Sequence, residues 1–257
     1  MLKLENIDVA FAKGTPDEAV LFDNFSYSVK QGEFVSVIGS NGSGKTTLLN
    51  LICGSLMPDS GKIYFEGKPI NHMSEHKRAN FIGRVFQDPK AGTCGNLTIL
   101  ENLSLADNKN KPFNLLPAVS KNKLDRFRTL LESCEMGLEN RLNTPVGSLS
   151  GGQRQALALV MANMTDIKFL ILDEHTAALD PKSSEIIMQL TDKFVKSKNI
   201  TTVMVTHNLR FALEYGSRLT MMHNGNCVID CCGSEKQNKK MDDLLEIFDK
   251  ISIEVGN

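Results

Sequence analysis

Short apolar runs, separated by glycine, proline and polar clusters, divide this chain into strands and helices. Leu2-Lys3-Leu4-Glu5-Asn6-Ile7-Asp8-Val9 alternates apolar and polar side chains, the pattern of a half-buried strand. Further strand-like runs lie at residues 25–30, 34–38, 62–66, 81–86, 169–172, 201–205, 218–222 and 227–230. Phe34-Val35-Ser36-Val37-Ile38 and Phe169-Leu170-Ile171-Leu172 are nearly all apolar, as in strands covered on both faces. Between about 88 and 160 the strand signal disappears. That stretch predicts helices over 98–106, 121–134 and 151–162, with a polar connector containing Pro112 and Pro117. Past residue 233 a polar linker leads to a last helix, with Met241, Leu244, Leu245, Phe248 and Ile251 on one face expected to dock on the chain's own core.

Composition narrows the class. A chain of 257 residues, 41% apolar and 23% charged, suits one α/β core with a small satellite. A net charge of −1 gives no electrostatic grip on nucleic acid. No apolar stretch approaches the ~20 residues of a membrane-spanning helix, and the start lacks a signal-peptide core, so a cytoplasmic location is expected. Cys53, Cys94, Cys134, Cys227, Cys231 and Cys232 show no CxxC spacing and are expected reduced. His72 and His76 have helical spacing but no third ligand beside them, so they read as a solvated pair.

Chemistry concentrates in two runs. Gly39-Ser40-Asn41-Gly42-Ser43-Gly44-Lys45-Thr46 is a P-loop pattern, following an apolar strand and opening an apolar helix over 46–53. Its glycines let backbone N–H groups face nucleotide phosphates; Lys45 would reach the terminal phosphates and the Thr46 hydroxyl would hold Mg²⁺, with Thr47 beside them. The second run, Leu149-Ser150-Gly151-Gly152-Gln153, seldom arises by chance at ordinary residue usage. Downstream, Phe169-Leu170-Ile171-Leu172-Asp173-Glu174 delivers two carboxylates at a strand's carboxyl end, the edge where open α/β sheets bind ligands. Asp173 would join the Mg²⁺ shell and Glu174 would orient or deprotonate the attacking water.

In this order, the motifs resemble the ATP-binding subunits of ABC transporters, and the resemblance runs from Leu2 to about Asp230. It implies a P-loop NTPase fold of α/β class, with a mixed sheet, an N-terminal antiparallel β region and an inserted α-helical subdomain. The single domain 1–257 would comprise a core with β subdomain (1–87 and 163–232), the helical subdomain (88–162), and a linker with C-terminal helix (233–257). The resemblance makes Gln87 a contact to Mg²⁺ and water, His207 a hydrogen-bonding partner of the γ-phosphate, and Phe11 a platform for adenine. Phe11 could equally be an ordinary core residue. Two positions depart from the family's usual wording: His175 stands where proline is common, and Ala178 where serine is common. His175 could be an additional γ-phosphate ligand or a tolerated substitution.

The family's split site implies head-to-tail pairing of two copies. Ser150, Gly151, Gly152 and Gln153 of one would reach the phosphate held by the other, presenting a helix N-terminus to it. Gln87-Asp88-Pro89 with Gly92-Thr93, together with the wording of residues 173–180, is similar to a bacterial import group. In that group the ATPase works with integral-membrane permeases and a solute-binding protein, which implies an amino acid or similar solute and a position at the cytoplasmic face of the membrane. An ABC exporter shares the cassette and stays open. A P-loop kinase or GTPase would leave 149–153 and His207 unused, and a non-transport ABC protein would need heptad arms or a second cassette.

Overall fold

Alternation at the N-terminus is realised as an antiparallel ladder. The computed structural model describes residues 1–109, Lys111 and residues 123–255. Strand β1 (Leu2–Phe11) runs between β2 (Ala19–Val29) and β4 (Ser60–Phe65), with the short β5 (Lys68–Pro69) outside β4. Leu2, Leu4, Ile7 and Val9 are buried while the polar positions between them face outward.

The second sheet has six strands in the order β10 (Asn226–Cys232), β9 (Arg218–His223), β3 (Phe34–Gly39), β8 (Thr201–Val205), β7 (Phe169–Asp173) and β6 (Ile82–Val85). All its neighbours run parallel except β10 on β9. The fold is therefore α/β, with a mixed sheet and an antiparallel β region. Each of the nine expected strands is present. Every residue of β3 and β8 is buried, because helices or the other sheet cover both faces. Along β7, Phe169 and Ile171 join the cluster shared with α1 (Lys45–Cys53) and the antiparallel sheet, whereas Leu170 and Leu172 face the opposite cluster.

That opposite cluster is built on helices. Among the described residues between β6 and β7 there is no strand, only a bridge between Thr98 and Pro145. This stretch carries α3 (Ile99–Asp107), α4 (Leu124–Glu132) and α5 (Gly151–Asn163) and shares one apolar cluster with α6 (Pro181–Lys198) and the sheet. The expected connector with Pro112 and Pro117, and the first two residues of the expected helix at 121–134, lie outside the described residues. The 18-residue helix α6 was not anticipated from the apolar pattern. Asp180 caps it, accepting from the Ser183 N–H at 3.0 Å, and Pro181 begins it.

The remaining helices are short: α2 (Glu75–Arg78), α7 (Leu209–Glu214) and α8 (Ser234–Asn238), followed by α9 (Met241–Val255). Only His76 lies on α2; His72 precedes it, so the two share no helix face. Arg78 is fully buried and donates to the carbonyls of Leu51 (2.7 Å) and Ile52 (3.1 Å), capping the C-terminal end of α1. In α9, Leu244 is fully buried, and Ile247 and Phe248 pack on the cluster of Ile38, Leu219 and Met221. Leu245 falls off the expected stripe and is exposed, while the side chain of Ile251 is outside the described set. Just upstream, the linker is partly helical. Lys236 of α8 is buried, donates to Gly216 O at 2.8 Å and to Tyr215 O, and burial pushes its ammonium down to about 8.

All six cysteines are free thiols. Among the described residues, no helix is long and apolar enough to cross a membrane.

Candidate functional site

The turn from β3 into α1 needs its glycines. Gly39, Gly42 and Gly44 have φ of +152°, +77° and +102°. A Cβ on Gly39 would lie 2.2 Å from Met222 O, and one on Gly44 would lie 2.8 Å from the Phe22 ring. Gly44 is the N-cap of α1, and no side chain caps that end, so the first-turn N–H groups have no side-chain acceptor there. Lys45 is buried beside them. Its Nζ donates to Gly39 O and Ser40 O, both at 2.8 Å, and to Ser43 Oγ at 3.4 Å. Burial lowers its affinity for its proton, and the nearby Glu174 charge opposes that shift.

Across the cleft, β7 ends at Asp173 and the chain turns sharply. Glu174 adopts φ +47°, in the left-handed region that costs a non-glycine residue on the order of 1–3 kcal/mol. Its N–H donates to Val205 O on β8 at 2.9 Å, and its carbonyl accepts from Ala177 N–H at 2.9 Å. The turn thereby sets Glu174 Oε1 2.7 Å from His207 Nε2. His207 follows β8 directly, held between Thr206, whose N–H bonds Val37 O, and Asn208, which caps α7.

These groups line one open cleft of about 370 Å³. Of the residues singled out from sequence, Phe11, Asn41 through Thr47, Glu174 and His207 line it. Asn41 and His207 also line an adjoining hollow beside Phe248, together with Gly39 and Ser40. Phe11 is 43% exposed and stands at the mouth with Val20, 66% exposed, so neither acts as a core residue. Ala19, Val20 and Leu21 were missed. Their apolar run into Phe22 was the available signal, but the strand was placed from residue 25 onward.

Besides Gly39 and Ser40, which line the adjoining hollow, the expected groups Gln87, Asp173 and the 150–153 run do not line the cleft. Gln87 is exposed just past β6. Asp173 is tied to Arg84, whose Nη2 lies 2.6 Å from its Oδ2. Ser150 is exposed as the N-cap of α5, in a reciprocal box with Gln153: Gln153 N–H donates to Ser150 Oγ, and Ser150 N–H to Gln153 Oε1, each at 3.3 Å. Gly152 packs against α6, where a Cβ would meet Ser183 Oγ at 2.8 Å.

Among the described residues, no group of three or more His, Cys, Asp or Glu side chains could hold a metal ion. The oxygens of Thr46, Asp173 and Gln87 are hard donors, too few for a closed cage. By donor type alone that set suits Mg²⁺, which keeps waters and takes substrate phosphates into its shell; of the three, Thr46 lines the cleft.

His175 points elsewhere. It is buried, its Nε2 lies 3.2 Å from Thr191 Oγ1 on α6, and it does not line the cleft.

Known proteins resemble this chain in sequence and in fold. The tyrosine transport ATP-binding protein of Clostridioides difficile (strain R20291) is 47% identical over 249 residues, spanning 97% of this chain and 99% of that one. A dimeric ATP-binding cassette solved in a post-hydrolysis state with ADP and Pi is 30% identical and superposes with a TM-score of 0.77, over 90% of this chain and 98% of that one. The cbiO1 protein of Clostridium perfringens, part of the ABC transporter complex cbiONQ, is 28% identical with a TM-score of 0.76, over 98% and 94% of the two chains. A family model described as ABC transporter matches residues 22–177, from β2 through the P-loop and α5 to the turn after Glu174, and the chain therefore belongs to the ABC transporter family as an ATP-binding, ATP-hydrolysing subunit.

Proposed function

We propose that this subunit powers a bacterial importer of an aromatic amino acid or similar small solute, as two identical copies paired head to tail. One observation carries the pairing: a single chain's cleft collects Lys45, Glu174 and His207 but no residue of 150–153. The Ser150 Oγ already accepts the Gln153 N–H, so its own hydrogen is available to donate to a phosphate brought by a second copy. The similarity to a solved dimeric cassette supports the same arrangement.

Within this reading, the backbone from Gly39 to Thr47 and the Lys45 ammonium hold the phosphates, and Phe11 stacks on adenine. Thr46, Asp173 and Gln87 hold Mg²⁺, which when bound neutralises charge on the phosphates. Glu174 orients the attacking water and accepts its proton; His207 hydrogen-bonds the γ-phosphate through the Nε2–H that otherwise holds the Glu174 carboxylate. Ser150, Gly151, Gly152 and Gln153 of the second copy close the site. Closure of the pair on ATP and its reopening after hydrolysis would drive attached integral-membrane permease subunits at the cytoplasmic face, fed by a separate solute-binding protein. Residues 1–87 and 163–232 would act as the ATP-holding core, 88–162 as the helical arm that swings, and 233–257 as a linker with its docked helix.

Import of an aromatic amino acid rests on the 47% identity to a tyrosine transport ATP-binding protein over nearly the full length of both chains. Uptake of labelled tyrosine by cells lacking this gene, against the complemented strain, tests it. Uptake should fall in the deletion and return on complementation. Unchanged uptake with altered efflux would make the subunit part of an exporter instead.

A further inference from the structure

Arg84 occupies a costly position. Its side chain is only 15% exposed, its Nε is buried with no nitrogen or oxygen partner, and the Cys53 thiol lies against the guanidinium. An arginine left partly unsatisfied needs another reason to be there. The reason lies in what its other nitrogens hold.

Strand register brings Arg84 of β6 opposite Ile171 of β7, so Asp173, two residues on, shares its face of the sheet. Nη2 forms the 2.6 Å pair with Asp173 Oδ2, and Nη1 donates to Asn50 Oδ1 at 3.1 Å. Asn50 lies on α1 one turn beyond Thr46, on the same helix face. The guanidinium carbon also lies 4.9 Å from the centre of the Phe86 ring, a cation–π contact. A permanent cation therefore stands behind Asp173 and is braced on α1 through Asn50. It takes one carboxylate oxygen and leaves the other open.

We propose that Arg84 is a built-in counter-cation of the metal site. It neutralises Asp173 when no divalent ion is present. By sharing that carboxylate it weakens the hold on the ion, so that metal enters and leaves with nucleotide rather than residing permanently. The proposal rests on the assignment of Asp173 to the metal shell. Two effects compete: Arg84 orients Asp173, which favours binding, and repels a second cation, which opposes it. Repulsion dominates because a guanidinium and a divalent ion would share one desolvated carboxylate.

The test is Mn²⁺ binding to the full chain with a non-hydrolysable ATP analogue, read by electron paramagnetic resonance. Arg84→Gln should tighten Mn²⁺ at least five-fold while leaving metal-free nucleotide affinity within two-fold. Arg84→Lys, which keeps the charge, should stay near the parent. If Arg84→Gln does not fold, Arg84→Met, which keeps the apolar body over Phe86, replaces it with the same expectation. A neutral variant that binds Mn²⁺ equally or more weakly overturns the proposal. Asp173→Asn measured alongside separates the two layers: if it binds Mn²⁺ as the parent does, the metal assignment itself fails.

Discussion

His175 Nε2 and Thr191 Oγ1 form a buried hydrogen bond of 3.2 Å, and the proton positions in it follow from what else Thr191 does. The Thr191 hydroxyl donates to Ile187 O at 2.7 Å, so toward His175 it can only accept. The imidazole must carry its proton on Nε2. It is neutral, pushed down to about 3 by burial, and it pins the residue after Glu174 to α6. The position where the family favours proline is thus stiffened by a side-chain bond.

Acid should expose this arrangement. A histidine whose folded-state value lies below its ordinary ~6.5 stabilises the fold fully above that value and progressively less as pH falls towards 3. Between pH 7.5 and 5.0 the parent should lose about 2 kcal/mol that a His175→Gln variant keeps, the slope approaching ~1.4 kcal/mol per pH unit below 6.5. Urea unfolding of both at pH 7.5 and 5.0 measures the difference. Parallel losses would mean His175 is protonated in the folded protein.

Lys45→Ala should weaken ATP binding roughly ten- to a hundred-fold, since charge-assisted contacts of this kind contribute ~1.5–3 kcal/mol. The same change frees Gly39 O and Ser40 O, so the loop also loses its internal brace. Fluorescent-nucleotide titration checks it; an unchanged affinity would move the phosphates away from Lys45.

Ser150→Arg should leave ATP binding by the isolated chain within about two-fold, because residue 150 does not line the cleft, yet abolish turnover. Loss of the cap costs about 1 kcal/mol of α5 stability, too little to unfold the chain. Hydrolysis at the parental rate would remove 150–153 from the site.

Glu174→Gln preserves size and a hydrogen bond to His207 but removes the charge that activates water. Turnover should drop ~10²–10⁴-fold, the usual contribution of a general base. With one fewer negative charge facing the γ-phosphate, ATP should be held at least as well, and gel filtration with ATP and Mg²⁺ should show a doubled mass. Asp173→Asn should give neither turnover nor a stable pair. Near-parental hydrolysis by Glu174→Gln would overturn the role given to Glu174.

Local patterns carried much of this structure. The strands were legible because fully covered strands are written as unbroken apolar runs, as in Phe169 to Leu172. Helix α6 was not, although Asp180 and Pro181 spelled its start, because its stripe of Ile187, Leu190 and Phe194 is diluted by polar residues. At the site, the groups on the P-loop and at the strand ends announce themselves by residue type. Arg84 does not. Its pairing with Asp173 spans 89 residues and depends on parallel register, which no local window contains. The burial of His175 is equally non-local, since it requires α6 to lie behind the turn.

The clasp made by Lys236 changes what the C-terminal helices are. Tyr215 O, one of its acceptors, also accepts the Ser36 hydroxyl from the central strand β3 at 2.9 Å. Detaching α8 would take the Lys236 ammonium from Gly216 O and leave Tyr215 O with the Ser36 hydroxyl alone, and detaching α9 would bare the fully buried Leu244. The C-terminal helices therefore open with the sheet as one cooperative unit. They belong to the domain's folding core rather than to a detachable appendage.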